Sequence, residues 1–547
     1  METEYAVTGV SPNGAVIERQ RLADLLCVEA AGSFPHARDA HGAGLFLQNG
    51  SRFYVDCGFH PELATPECVT PAEVIRYVLA GERILADVAQ RVATRFPGGT
   101  TVDLFRCNVD YSGTRSTWGC HESYLHRVEP IALADQLIPH LVTRVMYTGA
   151  GGFNSESPGL EFSLSPRVHH LVRPISGDST SYRGIFHTKD ESLSTAGYHR
   201  LHVLCGDSCC SELATWLKIG TTALVVALAE SGYAPGAAVQ LWSPIQAMNL
   251  VARDPECRVA LTLAGGRQAR ALDIQRHYLT QAEGHLGDPF MPHWAEEVCQ
   301  GWRAMLDRIE TDLPSLATRL DWAIKQALYA QHAQRCGVRW TSLAQWTDAL
   351  SVLERTQRSD GHDRPAAPPD LESLRSWNGW ARGNARALAP RLRKRGLNAE
   401  AFHAFVALRQ ELFEIDTRFG QLGERGIFAA LDGAGLLAHH ARGVEAVDQA
   451  VTKPPAIGRA AIRGDVIRRA DGKERYVCDW QQLWDPQGRR VLDLSDPFET
   501  TERWKDMDAG EQADMGSFED MLGSLGDWIR PRERRRRETA RGSDASR

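Results

Sequence analysis

The sequence predicts a mixed α/β body over residues 1 to about 335, because strand and helix patterns both recur along this part of the chain. Alternating apolar and polar side chains predict strands at 45–56, 101–107 and 201–205. Apolar side chains at helical spacing predict helices at 72–94 and 211–231. The first of these strand patterns also carries the residues that bear most directly on function.

Length and composition are those of an ordinary globular protein. The chain has 547 residues, of which 43% are hydrophobic and 24% are charged, so it is long enough for more than one domain. Its formal net charge of −7 argues against a general nucleic-acid binder. Its 12 cysteines are scattered without metal-ligand spacing, which favours reduced thiols over a disulfide framework.

The apolar segments do not predict a membrane protein. The N-terminus lacks the basic and then apolar pattern of a signal peptide. The longest apolar run, Thr222 to Ala229, is too short to span a bilayer. We therefore expect a cytoplasmic protein with neither membrane nor nucleic acid as a partner.

A predicted hairpin places three polar side chains together. Asn49-Gly50 separates two alternating runs, and both residues accept the positive φ that a tight turn requires. On the second strand Arg52, Tyr54 and Asp56 share one face, because side chains alternate between the faces of a strand. Burying such groups without partners is costly, so this face is expected to meet a ligand or a metal ion. A solvated face with a local ion pair is the alternative.

Acidic residues near this hairpin favour a metal ion. Glu2 and Glu4 alternate within a further predicted strand, so they share one of its faces. Glu62 follows the hairpin shortly after Asp56. Carboxylate oxygens are the hard ligands that Mg²⁺ prefers. Together the two strands predict half of a nucleotide and metal site.

Several long ungapped blocks, in a constant order, resemble one known family. They are ETEYAVTG, NGSRFYVDCGFHPELATPE, GCHESYL, RLHVLCGDSCCSELATWLKIGTTALV, LAGGRQARALDIQRHY and CDWQQL followed by SDPF. These blocks resemble the Pup ligase and depupylase family, whose members act at the C-terminal glutamate side chain of Pup, the prokaryotic ubiquitin-like protein. The resemblance implies an α+β fold of the glutamine-synthetase type. Such a fold has a curved antiparallel sheet packed with helices, plus a small C-terminal domain.

The resemblance also implies a role for each polar residue of the hairpin. Asp56 matches the catalytic acid–base residue of the family. The positions that match or neighbour its metal ligands are Glu2, Tyr54, Glu62, Glu4, His121 and His202. The positions that match its ATP contacts are Arg52, Thr65 and Trp480, with Arg183, Lys189 and Arg200 as candidates for phosphate. Taken alone, each histidine is more often a hydrogen-bonded structural residue than a ligand.

The implied function is an ATP- and Mg²⁺-dependent ligase that joins the C-terminal glutamate side chain of a Pup-like modifier to lysine amines of target proteins. A carboxylate oxygen is a poor leaving group, so ATP must first convert the carboxylate into a glutamyl phosphate. Mg²⁺ neutralises charge during that transfer. The incoming ammonium must lose a proton before it attacks, which requires a carboxylate base beside the acyl centre.

The chain resembles the ligase branch more than the depupylase branch. Depupylases of the family carry a long extra loop between the first acidic strand and the catalytic strand, whereas only 53 residues separate Glu2 from Asp56. LAGGRQARALDIQR is also closer to the ligase, while SELATWLKIG resembles the depupylase about as well. Hydrolysis of the same isopeptide bond, or of a C-terminal glutamine amide, is therefore the alternative. Ligation of free glutamate to small amines and a non-catalytic modifier-binding scaffold are further alternatives.

The predicted domains are a catalytic domain at 1–429, a small C-terminal domain at 430–500 and a tail at 501–547. The resemblance lapses over about 336–405, where a Pro-rich charged linker at 359–373 and an Arg-rich helical pattern predict a helical insertion. From Arg530 onward the tail holds eight Arg and three acidic residues, so we expect it to be disordered.

Overall fold

The computed structural model describes most of the chain. The residues described are 1–42, 44–56, 58–114, 116–157, 159–177, 182–188, 193, 197–344, 346–347, 393, 399–470, 475–508 and 510. The predicted Pro-rich linker, nearly all of the Arg-rich pattern, Lys189 and the basic tail lie outside these residues.

Nineteen strands lie within the described residues, and most of them join one sheet. In chain order they are β1 (Glu2–Glu4), β2 (Ala6–Val10), β3 (His36–Asp39), β4 (Leu45–Leu47), β5 (Arg52–Val55), β6 (Pro61–Ala64), β7 (Thr101–Phe105), β8 (Cys120–His126), β9 (Gly152–Phe153), β10 (Phe162–Ser163), β11 (Arg173–Ser176), β12 (Gly184–His187), β13 (His199–Val203), β14 (Ala260–Thr262), β15 (Gln268–Arg270), β16 (Val477–Cys478), β17 (Gln482–Asp485), β18 (Arg490–Asp493) and β19 (Trp504–Asp506). The main sheet has 13 strands in the order β11, β12, β13, β8, β1, β6, β5, β4, β3, β16, β17, β18, β19. Its neighbours are antiparallel except for β11 with β12 and β3 with β16.

Thirteen α-helices and four short 3₁₀ helices accompany the strands in the same part of the chain. The α-helices are α1 (Arg19–Ser33), α2 (Pro71–Ala93), α3 (Pro130–Thr143), α4 (Val145–Thr148), α5 (Glu212–Glu230), α6 (Pro244–Ala252), α7 (Ala271–Glu283), α8 (Ala295–Thr311), α9 (Asp321–Arg335), α10 (Ala399–Phe419), α11 (Ile427–Gly433), α12 (Val447–Ala450) and α13 (Arg459–Arg469). The 3₁₀ helices are Pro166–His170, Ala237–Val239, Leu313–Thr318 and Trp340–Ser342. A large, mainly antiparallel sheet with segregated helices confirms the α+β class.

The predicted hairpin and the two predicted helices are present. β4 and β5 pair across a turn in which Gly50 has a φ of 83°, as the Asn-Gly signal requires. α2 begins after Thr70, whose Oγ1 accepts a 3.0 Å hydrogen bond from the amide of Glu73. α5 begins after Ser211, whose Oγ accepts a hydrogen bond from Ala214. Local signals therefore place both helix starts.

The N-terminal segment was predicted as one continuous strand, but the structure divides it into two. It breaks at Tyr5: β1 lies in the main sheet between β6 and β8, whereas β2 pairs with β7 in a separate two-stranded sheet. The amide of Tyr5 donates to the carbonyl of Pro61, and the side chain is buried. The alternation of side chains in the sequence continues through Tyr5, so the sequence pattern does not indicate the change of partner strand.

Helix α5 belongs to the core. By length and composition it could cross a bilayer, but 78% of its most apolar window is buried within the protein. Its apolar side chains, among them Leu217, Leu224 and Val225, belong to the largest buried cluster. An all-round apolar surface is what a central core helix requires.

The C-terminal strands continue the main sheet. β16 pairs in parallel with β3, and β17, β18 and β19 follow it in order. This arrangement brings the loop between β16 and β17 beside the N-terminal hairpin. The domain limits predicted at 429 and 500 remain predictions.

Candidate active site

One cavity of 710 Å³ lies over β1, β5, β6, β8 and β13 and gathers nearly all the predicted site residues. Of the 12 that the structure describes, 11 line it: Glu2, Glu4, Arg52, Tyr54, Asp56, Glu62, His121, Arg183, Arg200, His202 and Trp480. Thr65 is not part of the lining. It is buried, and its Oγ1 accepts a 2.9 Å hydrogen bond from the amino group of Met1, so its hydroxyl serves the chain itself.

Strand register explains why these side chains meet. Glu4 of β1 lies opposite Glu62 of β6, and Glu62 lies opposite Tyr54 of β5. Glu2 lies opposite His121 of β8. Directly opposed residues point to the same face of a sheet, with Cβ atoms about 5 Å apart. Acidic, phenolic and imidazole groups therefore form the floor of the cavity.

Glu2 is an ionised carboxylate held by basic groups. Its Oε1 accepts a 2.9 Å hydrogen bond from Arg200, and its Oε2 lies 3.6 Å from Nδ1 of His121. Burial alone would raise the pKa of Glu2, but the His121 hydrogen bond and the Arg200 charge hold that pKa well below its ordinary value. Ligand atoms of Glu2, His121 and His202 all lie within 4.8 Å of one another. These three residues can share one metal ion.

Glu62 is a buried carboxylate among other carboxylates. Burial and the charges of Glu2 and Glu4 raise the pKa of Glu62 well above its ordinary value. Ligand atoms of Glu4, Glu62 and His121 lie within 4.8 Å of one another. A divalent cation would remove the mutual repulsion, and an oxygen-rich donor set suits Mg²⁺. The acidic residues present therefore fit the metal that the sequence predicts.

The hydroxyl of Tyr54 lies beside the carboxylate of Glu62. Burial and the charge of Glu2 raise the pKa of Tyr54 well above its ordinary value, so its hydroxyl stays neutral. That hydroxyl hydrogen-bonds the Glu62 carboxylate. A neutral phenol is a weaker ligand than a carboxylate, and direct coordination by Tyr54 remains a prediction.

Asp56 is held by the turn that follows β5. Its Oδ1 accepts hydrogen bonds from the backbone amides of Gly58, at 2.8 Å, and His60, at 2.7 Å. Within this turn Phe59 has a φ of 59°, a left-handed conformation that is costly for a residue other than glycine. The turn therefore fixes the direction of the carboxylate, as a catalytic base requires.

His60 links Asp56 to the acidic floor, although it is absent from the predicted site residues. Its Nδ1 lies 3.2 Å from Oδ2 of Asp56 and 3.3 Å from Oε2 of Glu4. Burial opposes protonation, but these two carboxylates raise the pKa of His60 to about 9, so the ring is cationic at neutral pH. The only signal for this role in the sequence is its place four residues after Asp56.

Aromatic and cationic side chains in another part of the lining fit a nucleotide. Trp480, from the loop between β16 and β17, packs edge-on against Phe46 with ring centroids 5.2 Å apart. The guanidinium of Arg52 lies 4.2 Å from the Tyr54 ring centre and forms a 2.5 Å salt bridge with Asp39. An aromatic surface can stack on a base, and a fixed guanidinium can bind phosphate oxygens.

Further arginines add positive charge to the lining. Arg183 donates to the hydroxyl of Thr117, and Arg200 contacts Glu2. Arg167, which the sequence did not single out, is buried and donates to two backbone carbonyls. The hydrogen bond with His60, together with the charges of His121 and Arg167, lowers the pKa of Glu4 to about 2 against the effect of burial. The cavity therefore carries both signs of charge at close range.

Comparison with known proteins gives consistent matches along the chain. A family model described as "Pup-ligase protein" matches residues 1–351 and 397–484. The Pup–protein ligase of Nocardia farcinica is 33% identical over 470 residues, which cover 84% of this chain and 88% of that protein. The Pup–protein ligase of Mycobacterium bovis is 33% identical over 466 residues, which cover 83% of this chain and 87% of that protein. The gap in the family match falls within the predicted insertion.

Solved structures share the fold. A crystal structure of Pup with its ligase PafA has a TM-score of 0.69 at 24% identity and covers 97% of this chain and 96% of that chain. A structure of the Pup ligase PafA in complex with ADP has a TM-score of 0.62 at 26% identity and covers 84% of this chain and 87% of that chain. Since the family model matches most of its length and its relatives are 33% identical over most of theirs, this chain belongs to the Pup ligase family.

Proposed function

We propose that this chain uses ATP and Mg²⁺ to join the side-chain carboxylate of a C-terminal glutamate, in a Pup-like modifier, to lysine amines of target proteins. The supporting observation is the convergence in one cavity of a fixed carboxylate base, a buried acidic floor and aromatic and cationic groups. The relatives are named Pup–protein ligases, and one structural neighbour is a complex with Pup and another with ADP. A hydrolase needs the same groups, so the experiment below separates the two reactions.

The aromatic and cationic part of the cavity would hold the nucleotide. Trp480, which packs edge-on against the buried Phe46, offers apolar surface to the base. Arg52, fixed by Asp39, and Arg183 offer donors to the phosphates. Fixed donors of this kind lower the cost of orienting the reacting phosphate, because they need no reorganisation when charge develops.

The acidic floor would hold Mg²⁺ through Glu2, Glu4 and Glu62, with His121 and His202 beside them. When bound, Mg²⁺ neutralises phosphate charge during transfer to the modifier carboxylate. Binding there requires Glu62 to give up its proton, since burial and its neighbours favour the neutral acid. Arg200 forms a salt bridge with Glu2. It can keep this salt bridge or give it up when Mg²⁺ binding changes the net charge of the acidic floor.

Asp56 would act on the attacking amine. The ammonium of a target lysine gives one proton to the Asp56 carboxylate, and the free amine attacks the acyl carbon of the glutamyl phosphate. The carbon–oxygen bond to phosphate breaks, and the leaving phosphate takes the second proton from the nitrogen. An isopeptide bond and inorganic phosphate remain. The cationic His60, 3.2 Å from Oδ2 of Asp56, holds that carboxylate in place.

We also propose that the protein works in the cytoplasm. All 11 cysteines in the part of the chain that the structure describes are free thiols, as a reducing compartment favours.

An adduct experiment tests the proposed function. Enzyme, ATP, Mg²⁺, a Glu-ending modifier and a lysine-bearing protein are mixed, and the products are weighed by mass spectrometry. We expect a conjugate whose mass equals the sum of the two proteins minus one water, formed only with ATP. No conjugate, together with hydrolysis of a preformed conjugate or of a C-terminal glutamine amide, would replace ligation by amidase activity. ATP consumption with free glutamate instead of the modifier would indicate a small-molecule ligase.

A further inference from the structure

We propose that His332, Cys336 and Glu411 form a binding site for a thiophilic divalent metal such as Zn²⁺, separate from the nucleotide cavity. His332 and Cys336 are one helical turn apart, at the C-terminal end of α9, and Glu411 lies on α10. None of the three lines the cavity described above. The proposal is independent of the proposed ligase activity.

The three donor atoms converge on one point. Nε2 of His332 lies 2.7 Å from Oε2 of Glu411, and Sγ of Cys336 lies 3.7 Å from the same Nε2. Sγ also lies 3.5 Å from the same carboxylate oxygen. The three distances therefore connect the same three atoms: one imidazole nitrogen, one carboxylate oxygen and one sulfur.

The triangle is close to the shape of a tetrahedral zinc site. With Zn–S of about 2.3 Å and Zn–N or Zn–O of about 2.0 Å, tetrahedral angles place sulfur about 3.5 Å from each lighter ligand and those two about 3.3 Å apart. Both sulfur distances already match. The His332–Glu411 distance must open by about 0.6 Å, a movement that two partly exposed side chains at 30% and 47% exposure can make.

The same geometry argues against a nucleophilic triad. In a triad the imidazole contacts the nucleophile through one nitrogen and its carboxylate partner through the other. Here a single nitrogen of His332 contacts both the thiol and the carboxylate. Donor atoms that converge around one centre, instead of forming a chain of hydrogen bonds, are typical of metal ligands.

The position of the site in the fold gives the metal a mechanical role. α9 ends where the predicted insertion begins and α10 begins near its end, and Cys336 and Glu411 are 75 positions apart in the chain. The helices also meet at Asp416 of α10, which accepts a hydrogen bond from Tyr329 and pairs with Lys325 at 2.8 Å. A metal bridge one to two turns away would join the two helices a second time, and closing a long loop restricts the unfolded chain.

Cobalt binding tests the proposal, because a cobalt–thiolate bond produces a charge-transfer absorption that oxygen and nitrogen ligands do not. Co²⁺ is titrated into the full-length protein, and Zn²⁺ is then added as competitor. We expect one thiolate-bound Co²⁺ per chain, displaced by Zn²⁺. Cys336→Ser should abolish the absorption, and His332→Ala or Glu411→Gln should weaken binding at least about tenfold, since even outer partners of metal ligands are worth 10- to 100-fold.

Two matched controls keep the result specific. Cys57→Ser should retain the absorption, although Cys57 directly follows Asp56 in the sequence. Glu414→Gln, on the same helix as Glu411, should retain binding because Glu414 pairs only weakly with Arg418, at 3.9 Å. Zn²⁺ should also raise the thermal midpoint of the wild type and of Glu414→Gln, but not of Cys336→Ser. An absorption lost in Cys57→Ser, retained in Cys336→Ser or absent from the wild type overturns the proposal.

Discussion

Asp56→Asn is expected to abolish isopeptide formation while leaving the affinity for Mg²⁺ and ATP nearly unchanged. The amide keeps the oxygen that accepts from the Gly58 and His60 backbone amides, so the turn is preserved. It cannot take a proton from the attacking ammonium, and losing a positioned general base slows a reaction by about 10² to 10⁴-fold. Single-turnover adduct formation gives the rate, and equilibrium nucleotide binding gives the affinity.

Glu62→Ala is the matched comparison for this variant. Glu62→Ala removes one carboxylate from the acidic floor and leaves the Asp56 carboxylate in place. Its main effect should therefore be weaker Mg²⁺-dependent nucleotide binding. Raising the Mg²⁺ concentration should restore part of the Glu62→Ala activity and none of the Asp56→Asn activity. Normal turnover in Asp56→Asn would show that another group takes the proton and would remove the proposed role of Asp56.

Glu67→Gln is expected to lower the apparent free energy of unfolding by about 2–3 kcal/mol, less than the roughly 3–5 kcal/mol for one partner of a fully buried ion pair, because the Glu67 side chain is 28% exposed. Glu67 forms salt bridges of 2.5 Å with Arg459 and 2.6 Å with Arg463. Both arginine side chains are buried, at 5% and 0% exposure, and lie on α13. Arg463 also lies 5.1 Å from the Trp480 ring. The variant should therefore weaken nucleotide binding as well as stability.

Urea unfolding followed by tryptophan fluorescence measures this loss. Glu502→Gln is the control, since Glu502 pairs with the exposed Arg469 and surface pairs are worth below about 1 kcal/mol. Equal unfolding midpoints for the two variants would show that Glu67 does not hold α13 to the N-terminal hairpin region.

The same carboxylate predicts how stability changes in acid. Burial alone would raise the pKa of Glu67, but the charges of Arg463 and Arg459 lower it from 4.5 to about 2. A depressed pKa stabilises the folded protein above the unfolded value, and that contribution is lost as the pH falls from about 4.5 towards 2. The stability difference between wild type and Glu67→Gln should therefore be constant near neutrality and shrink below about pH 4.5. A difference that persists to pH 2 would contradict the ion-pair account.

Much of the acidic floor was predictable from local pattern. Period-two alternation places Glu2 with Glu4, and Arg52 with Tyr54, on common faces whatever the rest of the fold does. The sequence does not contain the register that sets Glu62 between Glu4 and Tyr54, and the family resemblance implied only that these residues match or neighbour its metal ligands. His121, His202 and Trp480 were likewise assigned by resemblance, and the structure brings all three to the cavity.

Two residues that prediction missed, Asp39 and Arg167, act through contacts that the fold creates between separate elements. Asp39, at the end of β3, fixes Arg52 of β5, and the charge of Arg167 acts on Glu4 from a 3₁₀ helix more than a hundred residues later. Neither has a local pattern that distinguishes it from other charged residues. Thr65 shows the opposite failure, because its place in the motif did not reveal that the Met1 amino group uses its hydroxyl.

Transfer of ¹⁸O from the modifier to phosphate tests the central claim most directly. The modifier is prepared with ¹⁸O in both oxygens of the side-chain carboxylate of its C-terminal glutamate, and the phosphate released during ligation is analysed by mass spectrometry. Activation as a glutamyl phosphate predicts one ¹⁸O atom in the phosphate released for each isopeptide bond formed. Isopeptide bonds that form while the released phosphate stays unlabelled would contradict the account.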